Sequence, residues 1–251
     1  MRFIDLSSNG VLEPLTVENG LNATRVAFSH GGSLLAVGGS KGSLSLWHWP
    51  SKCRLAVLNG HRGGVNSIDF SADDSVLASA DTEGLVKLWN VAEGKERLTF
   101  RAHAPSHAAT VVRFSPDGTL LATASYLERN VRLWSASSGE SRGSLPPAAS
   151  GCRALAFSPD GAILALARGD GTAVLWSVAE GRPLAPMVAN ERSLQSIAFS
   201  RDGQYLATGG SDGCLRLWDV AAVLSGLPVA ADPPSPNLNL TQVGDEAASH
   251  P

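Results

Sequence analysis

Cysteine is scarce in this sequence, and the few cysteines are poorly placed for cross-linking. Cys53, Cys152 and Cys214 are odd in number and lie far apart. They therefore offer neither a disulfide framework nor the close C-x-x-C pairs that hold zinc. This use of cysteine fits a reducing compartment.

The sequence also lacks a surplus of charge and a long apolar run. Its net charge is -3, and its basic residues are scattered singly, which is not the pattern of a nucleic-acid-binding surface. No charged-then-apolar leader opens the chain, and no apolar run reaches the ~18 residues of a membrane helix. We therefore expect a soluble, cytoplasmic protein that binds neither nucleic acid nor a membrane.

What the sequence does contain is a repeat. Five tryptophans are separated by 42, 45, 42 and 42 residues, namely Trp47, Trp89, Trp134, Trp176 and Trp218. Nineteen or twenty residues before each one stands a phenylalanine, and these are Phe28, Phe70, Phe114, Phe157 and Phe199. Similar segments follow each phenylalanine, as in "FSPDGTLLATAS" and "FSRDGQYLATGG". The sequence therefore contains five copies of one unit.

Each unit is predicted to form short β-strands joined by turns. Apolar and other residues alternate over Val65 to Phe70, which is the two-residue period of a strand. The Ser-Pro-Asp-Gly run that starts at Ser115 has turn chemistry, and the pair Asp212-Gly213 suits a tight hairpin. Convincing helical periodicity is absent, which excludes a βαβ fold.

Four antiparallel strands in a unit of about 42 residues form a small sheet with two apolar faces, and such a sheet is not stable alone. Stacking the sheets around an axis buries both faces of each one. We therefore predict an all-β protein, a β-propeller of four-stranded blades. The phenylalanines and tryptophans are expected to act as wedges between blades.

At this point the chain resembles the WD40 repeat family, whose units carry Gly-His near the start and Trp-Asp near the end. The clearest matches are Gly60-His61 and Trp218-Asp219, and the resemblance covers Met1 to about Val220. It implies a propeller that serves as a platform for other proteins. It also implies a hydrogen-bond network in each repeat that links a His, a Ser or Thr, an Asp and the Trp.

The residues of this network are incomplete when they are assigned by alignment. In the second repeat His61, Ser79 and Trp89 match, but Glu83 stands where Asp is expected. The fifth repeat has Asn190 in the His position, with Thr208, Asp212 and Trp218. The fourth keeps Asp170 and Trp176 but has Ala148 and Leu166. We therefore expect no repeat to have the full set, so that the blades rely more on packing.

Two groups of residues suggest chemistry, and both have a simpler interpretation. His61, Asp81 and Ser79 have the residue types of a hydrolase triad, but their positions recur as repeat scaffolding. His103 and His107 could hold a metal, yet they lie in a loop with no third ligand nearby. No Gly-rich phosphate loop precedes a helix. We expect no enzyme activity, no metal and no cofactor.

One polar position repeats at the start of every first strand. Side chains two apart on a strand share a face, so the residue four before each Phe is expected on the Phe side. All five residues at this position are polar, namely Thr24, Asn66, Thr110, Arg153 and Gln195. Two interpretations remain open, a wetted ring at one mouth of the channel where a partner binds, or strand starts that are simply polar.

The third repeat is longer than the others. It has two extra residues before its first strand and one in the turn "SYLERN". Extra loop length on a regular scaffold is where binding tends to occur. We therefore predict a raised lip of the partner site formed by His103, His107, Tyr126 and Arg129, with neutral loop variation as the alternative.

The chain divides into three predicted segments. Residues 1–17 form a partial blade, in which "RFIDL" is a third strand and "LEPLTV" a fourth; residues 18–226 hold the five repeats; and the proline-rich residues 227–251 are disordered. Either the fourth strand at Leu12 to Val17 closes a ring of five blades, or the chain is an open arc of a larger propeller. We favour the arc, in which open blade edges permit self-association.

Function follows from this architecture by class. The first hypothesis is a non-enzymatic scaffold that presents loops to a protein or peptide partner. The alternatives are a regulatory or sensor segment of a larger signalling protein, such as a kinase or NTPase, and a propeller hydrolase with a metal in its channel. The hydrolase would need inward-facing acids or histidines near the axis, which the predicted ring lacks.

Overall fold

A computed structural model describes residues 22–105, 107–109, 111–190 and 192–226. It also gives the backbone of two short strands, β1 (Phe3–Ile4) and β2 (Val11–Leu12), which pair antiparallel. The predicted disorder of residues 227–251 lies outside the described residues.

The remaining strands form five sheets in chain order, which we call blades 1 to 5. Blade 1 contains β3 (Ala23–Phe28), β4 (Leu34–Gly39), β5 (Leu44–His48) and β6 (Cys53–Val57). Blade 2 contains β7 (Val65–Phe70), β8 (Val76–Asp81), β9 (Leu85–Asn90) and β10 (Lys95–Arg101). Blade 3 contains β11 (Val111–Phe114), β12 (Leu120–Ser125), β13 (Asn130–Ser135) and β14 (Ser141–Ser144).

Blade 4 contains β15 (Cys152–Phe157), β16 (Ile163–Arg168), β17 (Thr172–Ser177) and β18 (Arg182–Val188). Blade 5 has three strands, β19 (Leu194–Phe199), β20 (Tyr205–Gly210) and β21 (Leu215–Asp219). A short helix, α1 (Val220–Leu224), follows β21. The prediction of antiparallel four-stranded blades, one per repeat, is thus confirmed for the first four repeats.

The turn between the first two strands of a blade is held by its own polar side chains. In blade 3 the Ser115 hydroxyl donates to Asp117 Oδ1 at 2.5 Å, and the N–H groups of Leu120 and Thr119 donate back to these two side chains. The same Ser–Asp pair recurs in blades 2, 4 and 5. Blade 1 has no acid of its own there, and its turn is held by Asp74 of blade 2, which accepts from the N–H groups of His30 and Gly31.

Adjacent blades pack by one repeated interface with two unlike sides. We call them the Phe/Trp face, which carries the repeat phenylalanine and tryptophan, and the Ala/Leu face on the opposite side of the same sheet. Between blades 1 and 2, for example, Ala36 and Leu46 pack against Phe70 and Trp89. Trp89 is only 1% exposed. Burying each of these large side chains contributes on the order of 1.5–3 kcal/mol, so the interfaces supply most of the core.

The arc of blades is open. Val26 on the Phe/Trp face of blade 1 is 47% exposed, and Leu215 on the Ala/Leu face of blade 5 is 77% exposed. Strand β2 pairs with β1, and the other residues of the predicted closing strand, 13–17, lie outside the described residues. The segment after β21, which the sequence left open as a strand or a helical turn, is the helix α1, whose Val220 and Val223 are buried.

Candidate partner-binding surface

The loops that enter each first strand and the turns between second and third strands lie at one edge of the blades, which we call the loop edge. A cleft of about 650 Å³ runs along the axis near the opposite ends of the first strands. It is lined by residues of all five blades, from His30 of blade 1 to Arg201 of blade 5. The five first strands therefore surround one axis, and the loop edge surrounds one mouth of the channel.

Four of the five predicted ring residues lie at β-bulges. The strand register skips one residue at each of them, and they are Thr24, Asn66, Arg153 and Gln195. A bulge breaks the two-residue alternation and re-aims the side chain. The predicted placement of this position on the Phe side requires unbroken alternation, and the bulges break that alternation at these four residues. Thr110 lies outside the described residues.

Two of these side chains connect neighbouring blades. The Thr24 hydroxyl donates to the carbonyl oxygen of Val65 at 2.8 Å, and Asn66 Nδ2 donates to that of Ala109 at 3.4 Å. Gln195 hydrogen-bonds Ser193 and is exposed. Thr24 thus connects blade 1 to blade 2, and Asn66 connects blade 2 to the loop that enters blade 3. Their part in partner binding stays a prediction.

Arg153 and Tyr126 form the most distinctive feature of the loop edge. The Arg153 guanidinium carbon lies 4.3 Å from the centre of the Tyr126 ring, a cation–π arrangement across blades 3 and 4. Gly151 and Gly169 stand behind the ring, because a side chain at either glycine would collide with Tyr126. Arg153 Nε is buried and has no hydrogen-bond partner among the residues that the structure describes. The structure therefore brings together one ring residue and one residue of the predicted lip.

His103 is not part of an exposed lip. It is 1% exposed, with Nε2 3.0 Å from Thr123 Oγ1 and Nδ1 2.9 Å from Glu128 Oε2. Trp134 Nε1 donates to the same Thr123 hydroxyl at 2.9 Å. These four side chains form the complete network of the third repeat, with a glutamate in place of the aspartate. Glu128 is a member that the sequence interpretation missed.

The second repeat also has a complete network, contrary to expectation. Trp89 Nε1 donates to Ser79 Oγ at 2.8 Å, and His61 connects Ser79 at 2.6 Å to Asp81 at 2.9 Å. Asp81 at the end of β8 supplies the acid, and not Glu83. Burial opposes ionisation of Asp81, but bonds from His61 and from the N–H groups of Leu85 and Glu83 hold its pKa below the usual value.

This Ser–His–Asp arrangement has no access for a substrate. The side chains of His61 and Asp81 are 0% exposed, and Ser79 is 0% exposed as well. A triad needs its nucleophile beside a place where the reacting carbonyl binds. The simpler interpretation of these residues, as scaffolding of the repeat, matches their burial.

The fifth repeat forms the same hydrogen-bond network, with the side-chain amide of Asn190 in place of the histidine. Trp218 Nε1 donates to Thr208 Oγ1 at 3.0 Å, and Thr208 lies 3.3 Å from Asn190 Oδ1. Asn190 Nδ2 donates to both oxygens of Asp212. In blade 1 Trp47 instead donates to Ser45 at 2.8 Å.

In blade 4 the aspartate at the network position forms its hydrogen bonds within its own turn. Asp170 accepts from the backbone N–H and the hydroxyl of Thr172. Trp176 is 7% exposed and packs in the apolar interface with blade 3. The expectation of reliance on packing therefore fits blade 4, where the sequence lacks two network members, and not blades 2, 3 and 5.

The other residues of the predicted lip lie near this network. The His107 ring is 36% exposed, and its Nδ1 lies 4.0 Å from Glu128 Oε1. Arg129 is exposed and adopts φ +57 in the turn. No group of metal-binding side chains occurs among the described residues. His103 and His107 both lie beside the carboxylate of Glu128. Arg132 Nη2 is 2.9 Å from an oxygen of the same carboxylate.

Exposed charge in the described loops and turns of this edge is mainly basic. The exposed basic residues there are Lys41, Arg62, Arg129 and Arg192, whereas the exposed acidic residue is Asp170. Glu128 is shielded by its partners, with its side chain 11% exposed. At the described part of the loop edge, fully exposed positive charge therefore exceeds fully exposed negative charge, although the whole chain carries a net charge of -3.

These blades define a β-propeller built from sequence repeats. The chain belongs to the WD40 family: the family model described as "WD domain, G-beta repeat" matches residues 17–48, 52–90, 94–135, 139–177 and 181–219. The β-propeller domain of Cps50 (Swd1) from Myceliophteria thermophila has a similar structure, with a TM-score of 0.73. The two are 19% identical, over 81% of this chain and 67% of that one, and this likeness concerns the fold alone.

Curated relatives match shorter stretches. Periodic tryptophan protein 2 of Arabidopsis thaliana is 34% identical over 112 residues, which are 44% of this chain and 12% of that protein. Small ribosomal subunit protein RACK1z of Arabidopsis thaliana is 36% identical over 85 residues, which are 34% of this chain and 24% of that protein. The chain thus spans less than a third of either relative. In the part of the chain that the structure describes, no helix has the length and apolarity needed to cross a membrane.

Proposed function

We propose that this protein is a non-enzymatic interaction scaffold that binds an acidic segment of a partner protein at its loop edge. WD40 propellers act in general as platforms for protein interaction. The acidic segment is the specific kind of partner that we propose for this chain. The observation that carries it is the stack of Arg153 on Tyr126 at the channel mouth.

The chemistry of this pair suits a carboxylate. An arginine fixed on an aromatic ring keeps its planar donors in one orientation, and guanidinium groups bind carboxylates through two parallel hydrogen bonds. Arg129 and Arg192 add positive charge at the same edge. Ordered arginines lose little side-chain freedom on binding, so an acidic peptide is the partner class favoured here.

The test is a selection of displayed peptides against the whole chain, followed by affinity measurement on the selected sequences. We expect Asp- and Glu-rich peptides whose affinity weakens as salt is raised. Arg153→Gln should weaken binding about tenfold or more, which corresponds to about 1.4 kcal/mol. The matched control is Arg142→Gln, because Arg142 is exposed on the outer strand β14, away from the channel.

Tyr126→Leu separates the roles of the two residues. It removes the ring that orients Arg153 while leaving the charge, so affinity should fall by less than in Arg153→Gln. Selected peptides without acidic residues, or equal binding to the Arg153 and Arg142 variants, would count against the proposed function.

A further inference from the structure

Blade 5 has one strand fewer than the other blades among the residues that the structure describes. In blades 1 to 4 a fourth strand pairs with the third, whereas in blade 5 the helix α1 follows the third strand, β21. Two large apolar residues of β21 are exposed, Leu215 at 77% and Leu217 at 50%. The described part of the chain stops at Gly226, two residues after α1. The sequence that follows Gly226 is therefore the first place to look for a segment that docks on β21.

One residue explains why a helix replaces the turn that leads to the fourth strand. In blades 1 to 4 the residue five positions after the repeat tryptophan has a positive φ, and these residues are Lys52, Gly94, Gly139 and Gly181. Blade 5 has Val223 at this count, and a β-branched residue strongly disfavours the left-handed region. The chain instead continues as α1 and reaches a positive φ at Gly226, where the helix has ended. The reversal that precedes a fourth strand is thus delayed in blade 5.

Counting from the tryptophan places a fourth-strand pattern directly after Gly226. In blades 1 to 4 the residue eleven positions after the tryptophan is large and apolar, and these residues are Leu58, Phe100, Leu145 and Met187. It lies opposite the residue three positions before the tryptophan, as Phe100 lies opposite Val86 in blade 2. Blade 5 has Val229 at the first of these counts and Leu215 at the second. The sequence therefore repeats the fourth-strand register beyond the described residues.

Two neighbouring positions agree with this register. In blades 1 to 4 the residue nine positions after the tryptophan lies opposite the residue just before it, and the same counts place Leu227 opposite Leu217 in blade 5. Ten positions after the tryptophan, blade 4 has Pro186 within β18, and blade 5 has Pro228. Proline is tolerated on the outermost strand of a sheet because no further strand needs its N–H. Pro228 is therefore compatible with a fourth strand.

We propose that residues 227–230 dock antiparallel on the outer edge of β21 as the fourth strand of blade 5. In this register Leu227 lies opposite Leu217 and Val229 lies opposite Leu215, so the two new side chains extend the Ala/Leu face and cover part of both leucines. The segment needs no linker to reach β21, because it begins at the residue after Gly226. The disorder that composition predicts for residues 227–251 then begins after this strand.

A disulfide between the two strands tests both the docking and its register on the full chain. The same counts place Ala230 opposite Cys214, as Arg101 lies opposite Leu85 in blade 2. Opposite Cα atoms of antiparallel strands are ~4.5–5.5 Å apart, a separation that a disulfide spans. Ala230→Cys should therefore form an intramolecular disulfide with Cys214 when oxidised glutathione is added, which is reduced to two molecules of glutathione. Every variant also carries Cys53→Ser, because Cys53 is the other exposed cysteine.

Ala231→Cys is the matched control, because the next residue of a strand points to the opposite face. A segment with no fixed partner presents both cysteines to Cys214 at nearly the same effective concentration, since the two linkers differ by one residue. We expect the disulfide of Ala230→Cys to form at least about tenfold faster than that of Ala231→Cys. Equal rates, or disulfides that join two molecules, would overturn the proposal.

Two matched substitutions test the docking without added cysteines. Val229→Asp places a carboxylate beside Leu215 and should lower the urea concentration at the midpoint of unfolding. Val243→Asp makes the same chemical change outside the proposed strand and should leave the midpoint unchanged. Circular dichroism confirms that both variants fold. Equal midpoints for the two variants would also overturn the proposal.

Discussion

The imidazole Nδ1 of His103 lies 2.9 Å from Oε2 of Glu128, in a repeat whose loops are longer than those of its neighbours. The same carboxylate receives the N–H of Ala104 at 2.6 Å and the guanidinium of Arg132 at 2.9 Å. One glutamate therefore connects the loop before the first strand to the turn after the second. It fixes the two segments in which this repeat differs from the others.

Glu128→Gln should destabilise the fold because it removes the charge from three of these contacts. Hydrogen bonds to charged groups contribute ~1.5–3 kcal/mol each, and the remaining partners would be left partly unsatisfied. We expect a loss of about 2 kcal/mol in the free energy of unfolding, measured by urea denaturation. Glu180→Gln is the control, since Glu180 pairs with Arg182 at 2.6 Å but both side chains are more than half exposed. Its effect should stay below ~1 kcal/mol.

Stability should also fall on mild acidification. Burial lowers the pKa of His103 below its ordinary value of 6.5, although Glu128 acts in the opposite direction. The unfolded chain therefore takes up this proton first, and stability is complete above pH 6.5 and decreases as the pH falls below it. Despite burial, the N–H of Ala104 and the His103 ring hold the pKa of Glu128 below 4.5, so more stability is lost below pH 4.5.

His103→Asn isolates the histidine contribution. Asparagine occupies this position naturally at Asn190, where it bonds to both Asp212 and Thr208. The variant should show a flatter pH dependence of the unfolding free energy just below pH 6.5 while keeping the loss at lower pH. An unchanged profile would show that other groups cause the dependence.

The thiols should differ sharply in reactivity. Burial raises the pKa of Cys152 to about 12, whereas Cys53 and Cys214 are exposed. The thiolate is the reactive form, so Cys152 should be inert in the folded protein. Titration with a chromogenic disulfide reagent should count two thiols under native conditions and three in denaturant. Three fast-reacting thiols in the native protein would contradict the placement of Cys152.

Ser79 offers a test of the second-repeat network. Ser79→Ala leaves Trp89 Nε1 and His61 Nε2 without their shared partner in a site that is 0% exposed, so we expect a loss of about 1–3 kcal/mol in unfolding free energy. Ser79→Thr should be nearly neutral, because Thr123 and Thr208 have this role in other blades. Equal unfolding midpoints for the two variants would argue against the network as a source of stability.

The repeat and the strands could be predicted because they depend on local periodicity and turn chemistry. The network of blade 3 was missed because its insertions move residues relative to Phe114. Counted from the tryptophans, His103 stands fourteen residues after Trp89, as His61 does after Trp47, and Glu128 stands six before Trp134, as Asp212 does before Trp218. The tryptophans therefore gave a better register than the phenylalanine in this repeat.

Three other features depend on geometry that no spacing reveals. The acid at Asp81 comes from a strand end and not from the turn, so its role depends on where that strand stops. Four of the five predicted ring residues lie at bulges, and a bulge shifts every side chain before it. The stack of Arg153 on Tyr126 joins residues of different blades, which only the packed structure brings together.

Gly84 supports this inter-blade packing from the backbone. It adopts φ +78 in the turn before β9, and its carbonyl oxygen accepts from the N–H groups of Ala102 and His103. A Cβ atom there would approach the carbonyl oxygen of His103 to less than 3.0 Å. Gly213 occupies the same repeat position with φ +79, and no atom of the described residues lies within 4 Å of a Cβ added there.

Gly84→Ala and Gly213→Ala therefore separate backbone strain from steric collision. Both alanines suffer the left-handed backbone, which costs on the order of 1 kcal/mol. Only Gly84→Ala also pushes apart blades 2 and 3, so it should lose at least ~2 kcal/mol more unfolding free energy, since a collision with backbone cannot be relieved by a rotamer change. Urea denaturation of the two variants measures the difference. The φ angles of Gly84 and Gly213 differ by one degree. Equal losses of unfolding free energy in the two variants would therefore mean that the turn at Gly84 does not collide with the loop at His103.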